Sequence, residues 1–454
     1  MRDLESYRPM RRLHFIFLTI IFSLSAMFAQ ESHDEAKSLV IESIEIEGNT
    51  KTKPHVIRNY LPVKEGDSIT KAQMLAIEFR LRQTNFFKEV DMYVVPGSEK
   101  GMASVLVKVK ERKWPFLQFK SGFNELDGWY ITPLGIRLDN ILGRGNVFGL
   151  DITLGDRVVA SRLEYIRPFI FGTEYDFEIS LLGHNRQFLH FLKPDGAPQQ
   201  QYEQEVRDGG ILIGLNGNSG LAKLFSVAFI AQNVMADSVL TIGSGDDRIE
   251  VLQPEFFNVP SDTQKIRKAA FSATVDTRNS RGYPTNGWWG AFSYELSAKD
   301  LGSFADYNKF IVDLRRYQPI WKKVVLALHA KAGSVGDNAP FYEKFYLGGP
   351  NSVRGYADRS LTPEGYAANL AIGSAELRLP LTARRTPDRF NAAFFVDTGY
   401  AWNEGDEFDF ANFNTGLGFG VRIKLPIIGI LRSDFAWSTP DSEFQFHLSL
   451  GQAF

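Results

Sequence analysis

The side chains able to do covalent or metal chemistry are few in this sequence and badly spaced for it. There are seven histidines and no cysteine in 454 residues, which excludes disulfides, thiolate metal sites and cysteine nucleophiles. No His-Glu-x-x-His zinc pattern and no Gly-x-Ser-x-Gly elbow occurs. Gly243-Ser244-Gly245 is too generic to count and lies in a Gly/Asp-rich turn. No catalytic residue, metal site or cofactor is therefore expected. Lys+Arg and Asp+Glu number 51 and 53, a net charge of −2, so nothing draws the chain to nucleic acid. The remaining chemistry is that of a guanidinium. Residues 336–365 form the longest polar, Gly/Pro-rich connection between two clear strands, and Arg354 sits within it, preceded by Gly348-Gly349 and followed by Gly355. Taken alone, this arginine reads as a solvated loop residue.

The elements around that connection fall into three parts. Arg2, Arg8, Arg11 and Arg12 precede an apolar run from Phe15 to Phe28, then Ala29 and Gln30. A basic start, an apolar stretch short of the ~20 residues a spanning helix needs and a small exit residue predict a cleaved signal peptide over residues 1–29 rather than an anchor. With no cysteine, a lipoprotein is excluded. Residues 40–112 predict a small α+β unit of the order strand, helix, helix, strand, strand. Val40–Ile46 alternates up to a Gly48-Asn49 turn, and Lys53–Leu61 carries Val56, Ile57 and Tyr60 at helical spacing. Ser68 and Thr70 are candidate caps for a helix holding Met74, Ile77 and Leu81, and Phe87–Val95 and Ala103–Val109 close the unit.

From Trp114 to Phe454 the period changes to two. Segments of ~10 alternating residues are separated by Gly, Asn, Asp and Pro turns, the pattern of a transmembrane antiparallel β-barrel. In Lys309–Tyr317, Phe310, Val312 and Leu314 oppose Lys309, Asp313 and Arg315; in Lys323–Gly333, Leu326 and Leu328 oppose His329 and Lys331. In the last segment Phe444, Phe446, Leu448, Leu450 and Phe454 share one face. A soluble sandwich also alternates. Mid-strand charges on the polar face suit a wet lumen, and aromatics near segment ends (Trp288-Trp289, Trp321, Trp402) suit an interfacial girdle, so the barrel is the better reading. About sixteen strands are expected.

Tyr346-Leu347-Gly348-Gly349-Pro350-Asn351-Ser352-Val353-Arg354-Gly355-Tyr356 resembles the inward-folding loop motif of the BamA/TamA outer-membrane assembly superfamily. Further matches follow the family's order: Ile46-Glu47-Gly48-Asn49 in a unit similar to a POTRA (polypeptide-transport-associated) domain, Asp276-Thr277-Arg278, Phe395-Val396-Asp397-Thr398-Gly399, Leu431-Arg432-Ser433-Asp434 and the final Phe454. The resemblance implies a loop returning into the lumen, where Arg354 needs a carboxylate: Asp397 first, Glu376 second. Gly355 would allow a tight turn and Tyr356 would pack on the wall, with Gly348, Gly349, Ser352 and Val353 shaping the motif. It also implies a seam between the first strand (Trp114–Phe123) and the last (Phe444–Phe454), where Gly451 either weakens pairing or is a packing residue. The strand Phe87–Val95 is expected at the edge of the POTRA sheet.

The implied function is insertion or translocation of polypeptides at the outer membrane of a Gram-negative bacterium, with the POTRA unit in the periplasm. Partners would be the lipid bilayer, an unfolded polypeptide client, and periplasmic chaperones or accessory lipoproteins. A dedicated exporter, a lipid-transfer barrel and, less well, a passive porin are the alternatives.

Overall fold

The computed structural model describes residues 39–454 except for 113–115, 193–199, 219–222, 243–247, 261, 281, 322, 365, 382–388, 407, 426–428 and 440. The signal peptide expected over residues 1–29, Trp114 and the expected Gly243-Ser244-Gly245 turn lie outside the described residues.

The N-terminal unit comprises β1 (Leu39–Glu47), α1 (Pro54–Asn59), β2 (Ser68–Ile69), α2 (Lys71–Gln83), β3 (Phe87–Pro96) and β4 (Met102–Glu111). Its sheet runs β2-β1-β4-β3, with β1 parallel to β4, so β3 is an edge strand. Pro54 stands in the first helical turn, where a missing N–H costs nothing. Thr70 caps α2 through a reciprocal box: its hydroxyl accepts from the Gln73 amide, and the Gln73 side chain accepts from the Thr70 amide at 2.8 Å. Ser68 is no cap; it pairs with Val40 in the short β2. Ile41, Val56, Ile57, Ile77, Leu81, Val90, Val105 and Val107 fill the core between helices and sheet.

The barrel begins with β5 (Phe116–Asn124), β6 (Gly128–Ile141), β7 (Asn146–Gly155), β8 (Val158–Arg167), β9 (Tyr175–Leu192), β10 (Gln200–Asn218) and β11 (Lys223–Ala236). A short hairpin, β12 (Val239–Ile242) and β13 (Ile249–Leu252), interrupts the sequence, and β11 pairs directly with β14 (Gln264–Asp276). Then come β15 (Gly287–Ser297), β16 (Tyr307–Trp321), β17 (Val324–Val335), β18 (Asn369–Pro380) and β19 (Phe390–Trp402). The last are β20 (Asn414–Leu425), β21 (Gly429–Thr439) and β22 (Phe444–Leu450). Without the hairpin these make a ring of sixteen antiparallel staves, nearly closed. Among the described residues no helix is long and apolar enough to cross a membrane; the strands do the crossing.

The period-two pattern sorts the wall as expected. Leu328, Phe394, Leu417 and Phe446 face outward and exposed, while His329, Glu376, Asp397, Arg422 and Asp434 face inward and buried. Trp288 and Trp321 lie on the outer surface. Trp289 does not: it turns inward, where the Arg315 guanidinium lies 4.3 Å from its ring centre, because adjacent strand residues must point to opposite faces.

Fifteen neighbouring stave pairs carry residue-by-residue ladders, from seven partners between β21 and β22 to eighteen between β9 and β10. The sixteenth junction, β22 to β5, is also hydrogen-bonded and completes the ring, but it is by far the slightest of the sixteen. The final strand stops at Leu450, short of the expected Phe454. Gly451 takes φ +97°, which ends the alternation, and Phe454 turns inside rather than sharing the lipid face. Its ring stacks on His329 at 4.9 Å, and its carbonyl accepts from the Arg378 guanidinium at 3.3 Å.

The soluble unit is seated against the turns at one end of the barrel. The Asn140 side chain donates to Thr52 Oγ1 at 2.7 Å, and the Lys53 amide to the Gly143 carbonyl at 2.9 Å. Tyr60 meets Phe169 edge to face at 4.7 Å, and Val147 joins the core of the unit.

Candidate functional site in the barrel lumen

Residues 336–364 and 366–368, between β17 and β18, fold back into the lumen. Three glycines permit the path: Gly348, Gly349 and Gly355 have φ of +104°, +112° and +100°. At Gly355 a Cβ would also stand 2.8 Å from the Trp437 carbonyl, so backbone meets wall directly. The wall reciprocates at Gly416, where any Cβ would collide with the Arg354 carbonyl oxygen. Ser352 accepts from the Gly348 amide at 3.1 Å and closes the turn, while Val353, fully buried, packs with Leu347 and Leu370. The Tyr356 hydroxyl donates to the Thr439 carbonyl at 3.1 Å, tying the loop to β21.

This path delivers Arg354 to the acidic wall. Its Nε donates to Asp397 Oδ2 at 2.6 Å and its Nη2 to Asp397 Oδ1 at 2.9 Å, a two-pronged pairing. Its Nη1 donates to Glu376 Oε2 at 2.7 Å, and its own amide to Asp397 at 3.2 Å. The guanidinium lies 3.4 Å from the centre of the Phe395 ring. Both carboxylates singled out from the sequence thus meet the same arginine.

The cluster extends beyond those residues. Glu376 also accepts from Arg378 at 2.8 Å and Arg422 at 2.9 Å, Arg422 pairs with Asp434 at 2.6 Å, and Arg432 lies 3.1 Å from Asp434. All seven charged groups are buried. Sequence reasoning placed Arg432 and Asp434 in a motif but gave them no role, and passed over Arg378 and Arg422. The available signal was the i, i+2 spacing of opposite charges on inward faces, in Glu376/Arg378 and Arg432/Asp434.

Two further clamps hold the loop. Arg359 donates to the Glu125 carbonyl at 2.8 Å, the Leu126 carbonyl at 3.2 Å and the Tyr366 hydroxyl at 2.8 Å. Lys268 pairs with Glu343 and Glu295, each at 2.9 Å. Burial pushes the Glu125 carboxyl above its ordinary range, against the hydrogen bonds it accepts from Asn351. No signal in the sequence pointed to Glu125. The arrangement is one of charge pairing, and among the described residues no group of acidic or histidine side chains could hold a metal ion.

A sixteen-strand barrel with an inward-folded, arginine-locked loop and an α+β unit at one end defines a class of outer-membrane protein. The Omp85 superfamily domain matches residues 140–454, and the POTRA family of surface antigen variable number repeats matches residues 39–112. The chain belongs to the Omp85 superfamily. It lies in the outer membrane, with its POTRA unit on the periplasmic side.

Among its relatives is the outer membrane protein assembly factor BamA of Nitratidesulfovibrio vulgaris, 24% identical, over 92% of this chain and 52% of that protein. Another is the chloroplastic outer envelope protein 80 of Oryza sativa, 23% identical, over 88% of this chain and 60% of that protein. The chain thus spans about half the length of the curated relatives it matches. In fold it is similar to BamA from Haemophilus ducreyi lacking POTRA domains 1–3, at 19% identity and a TM-score of 0.67, covering 91% of this chain and 84% of that one. It is also similar to CdiB from Acinetobacter baumannii, at 17% identity and a TM-score of 0.58, covering 92% of this chain and 74% of that one.

Proposed function

We propose that the protein inserts polypeptides into the outer membrane, or passes them across it, using the POTRA unit to capture an extended client and the barrel seam to receive it. The observation that carries the reading is the seam. Fifteen junctions are zipped by long ladders, and the sixteenth, between β5 and a seven-residue last strand, is hydrogen-bonded but by far the slightest. Strand edges held by so slight a pairing can exchange it for another strand. The second support is β3, an edge strand with Tyr93 and Val95 exposed, in a unit that also exposes Leu75 and Phe79 on α2. Backbone groups there can template a client strand while apolar side chains hold it.

The reading involves no covalent step and no cofactor, and it leaves room for chaperones or accessory lipoproteins delivering the client. A passive porin fits less well, because the inward loop and its clusters around Phe341 and Val353 fill lumen that a porin keeps wet.

The test is reconstitution of the full chain in liposomes with an unfolded barrel client, scoring client folding by protease resistance. Faster client folding than in empty liposomes, lost on Tyr93→Asp/Val95→Asp in β3, supports the reading. Ion conductance with no effect on any client refutes it.

A further inference from the structure

The slight pairing at the seam has a second fastening beside it. We infer that Pro350-Asn351, at the tip of the inward loop, is a bolt that holds the two sides of the seam together, and that its withdrawal opens the seam. The inference rests on the proposed role of the seam and names what regulates it.

Asn351 reaches the first side of the junction three times. Its amide donates to Glu125 Oε1 at 2.6 Å, and its side-chain nitrogen to Glu125 Oε2 at 3.3 Å and to the Phe123 carbonyl at 3.4 Å. Phe123 belongs to β5 and Glu125 to the turn that follows it. The other side is reached through Arg432 of β21. Its Nη2 donates to Asn351 Oδ1 and to the Pro350 carbonyl, both at 2.8 Å, while its Nε donates to Ser449 Oγ of β22 at 2.8 Å. One asparagine therefore gives its amide hydrogens to the first hairpin and takes its carbonyl bond from the last. Glu125, Arg432 and Ser449 are all buried, so these bonds form without competing water.

An asparagine is chemically suited to this place. Its side chain donates on one end and accepts on the other, as a two-sided bridge between a carboxylate and a guanidinium requires. The substitution Asn351→Asp would keep the Arg432 side and set a second carboxylate against Glu125. Asn351→Ala would lose all three side-chain hydrogen bonds while leaving the main-chain ones. Neither change touches Arg354, Asp397 or Glu376, so the bolt is separable from the lock that holds the loop as a whole.

The cysteine-free sequence gives a direct readout. Cysteines replacing Leu117 on β5 and Phe446 on β22, both exposed, carry spin labels across the seam of the full chain in liposomes. Electron–electron distance measurement then reports the fraction of molecules with a widened seam. Asn351→Asp and Asn351→Ala are each expected to raise that fraction about ten-fold, the loss of one or two hydrogen bonds to charged groups. The heat-induced gel shift of the folded barrel should stay near that of the labelled parent.

An unchanged distance distribution in both variants overturns the bolt. So does widening that appears only together with collapse of the gel shift, since Asn351 would then merely support the fold. Client insertion is scored separately. A parent protein that moves no client sinks the proposed function and leaves the distance result to stand or fall by itself.

Discussion

Arg354→Ala deletes three of the four hydrogen bonds that Arg354 makes to the acidic wall, sparing only the one from its main-chain amide. The two carboxylates then fare differently. Glu376 keeps Arg378 and Arg422, whereas Asp397, on the described contacts, keeps nothing but that amide. Most of the loss therefore falls on Asp397, fully buried and left charged without a counter-ion. Stranding a buried charge in this way costs about 3–5 kcal/mol. Arg354→Lys restores charge but not the two-pronged geometry and should cost about 1.5–3 kcal/mol. Arg354→Ala/Asp397→Asn removes the stranded charge, so the double variant should be more stable than Arg354→Ala alone, by about 1–2 kcal/mol. The assay is urea unfolding in lipid vesicles, read by the gel shift of the heat-modifiable folded form. If the two substitutions simply add to within about 0.5 kcal/mol, the pairing argument is wrong and the loop is held by its packing.

Three other outcomes are expected. Thr70→Ala should destabilise the start of α2 by about 1 kcal/mol through loss of its cap, seen as faster amide hydrogen exchange over the first turn. Gly355→Ala should cost roughly 1–3 kcal/mol in the same unfolding assay, since it forces a side chain into left-handed backbone pressed against Trp437. The third concerns Glu111. Burial opposes its ionisation, but hydrogen bonds from Thr52, Thr50 and Lys51 outweigh this and hold its carboxyl below the ordinary range. A lowered folded-state pKa gives stability that is present above the unfolded value, about 4.3, and lost as pH falls through the folded one. Exchange protection of the Thr52 amide, corrected for intrinsic rate, should hold from pH 7 to 5, fall below about pH 4.3 and be weak at all pH in Glu111→Gln.

What could be read from the sequence was what depends on short-range pattern. Alternation in β16, β17 and β22 gave the two faces of the wall, and the 3.6-residue spacing of Met74, Ile77 and Leu81 gave the buried face of α2. Asp397 and Glu376 were accessible because they sit in motifs flanked by recognisable strand residues. Trp289 was misplaced because counting aromatics near strand ends ignores which face each occupies. Phe454 was misplaced because alternation was carried through Gly451, whose positive φ ends it. Glu125 could not have been found at all: its partner Asn351 is 226 residues away, and only the closed ring brings the two together.

That separation also dictates an order of events in the making of the protein itself. Closing a contact across 226 residues forfeits chain entropy that no local hydrogen bond repays, so Asn351 cannot meet Glu125 until the intervening staves are in register. Its bond to Arg432 needs β21 as well, a further 81 residues on. The loop tip is thus a completion signal. It can engage both ends only when first and last hairpins have arrived: a barrel missing the first is left with a loose loop tip, and one missing the last also lacks the Arg432 and Asp434 of the buried-charge cluster. Unfinished molecules would stand out by that exposed loop, open to the proteases that clear misassembled chains.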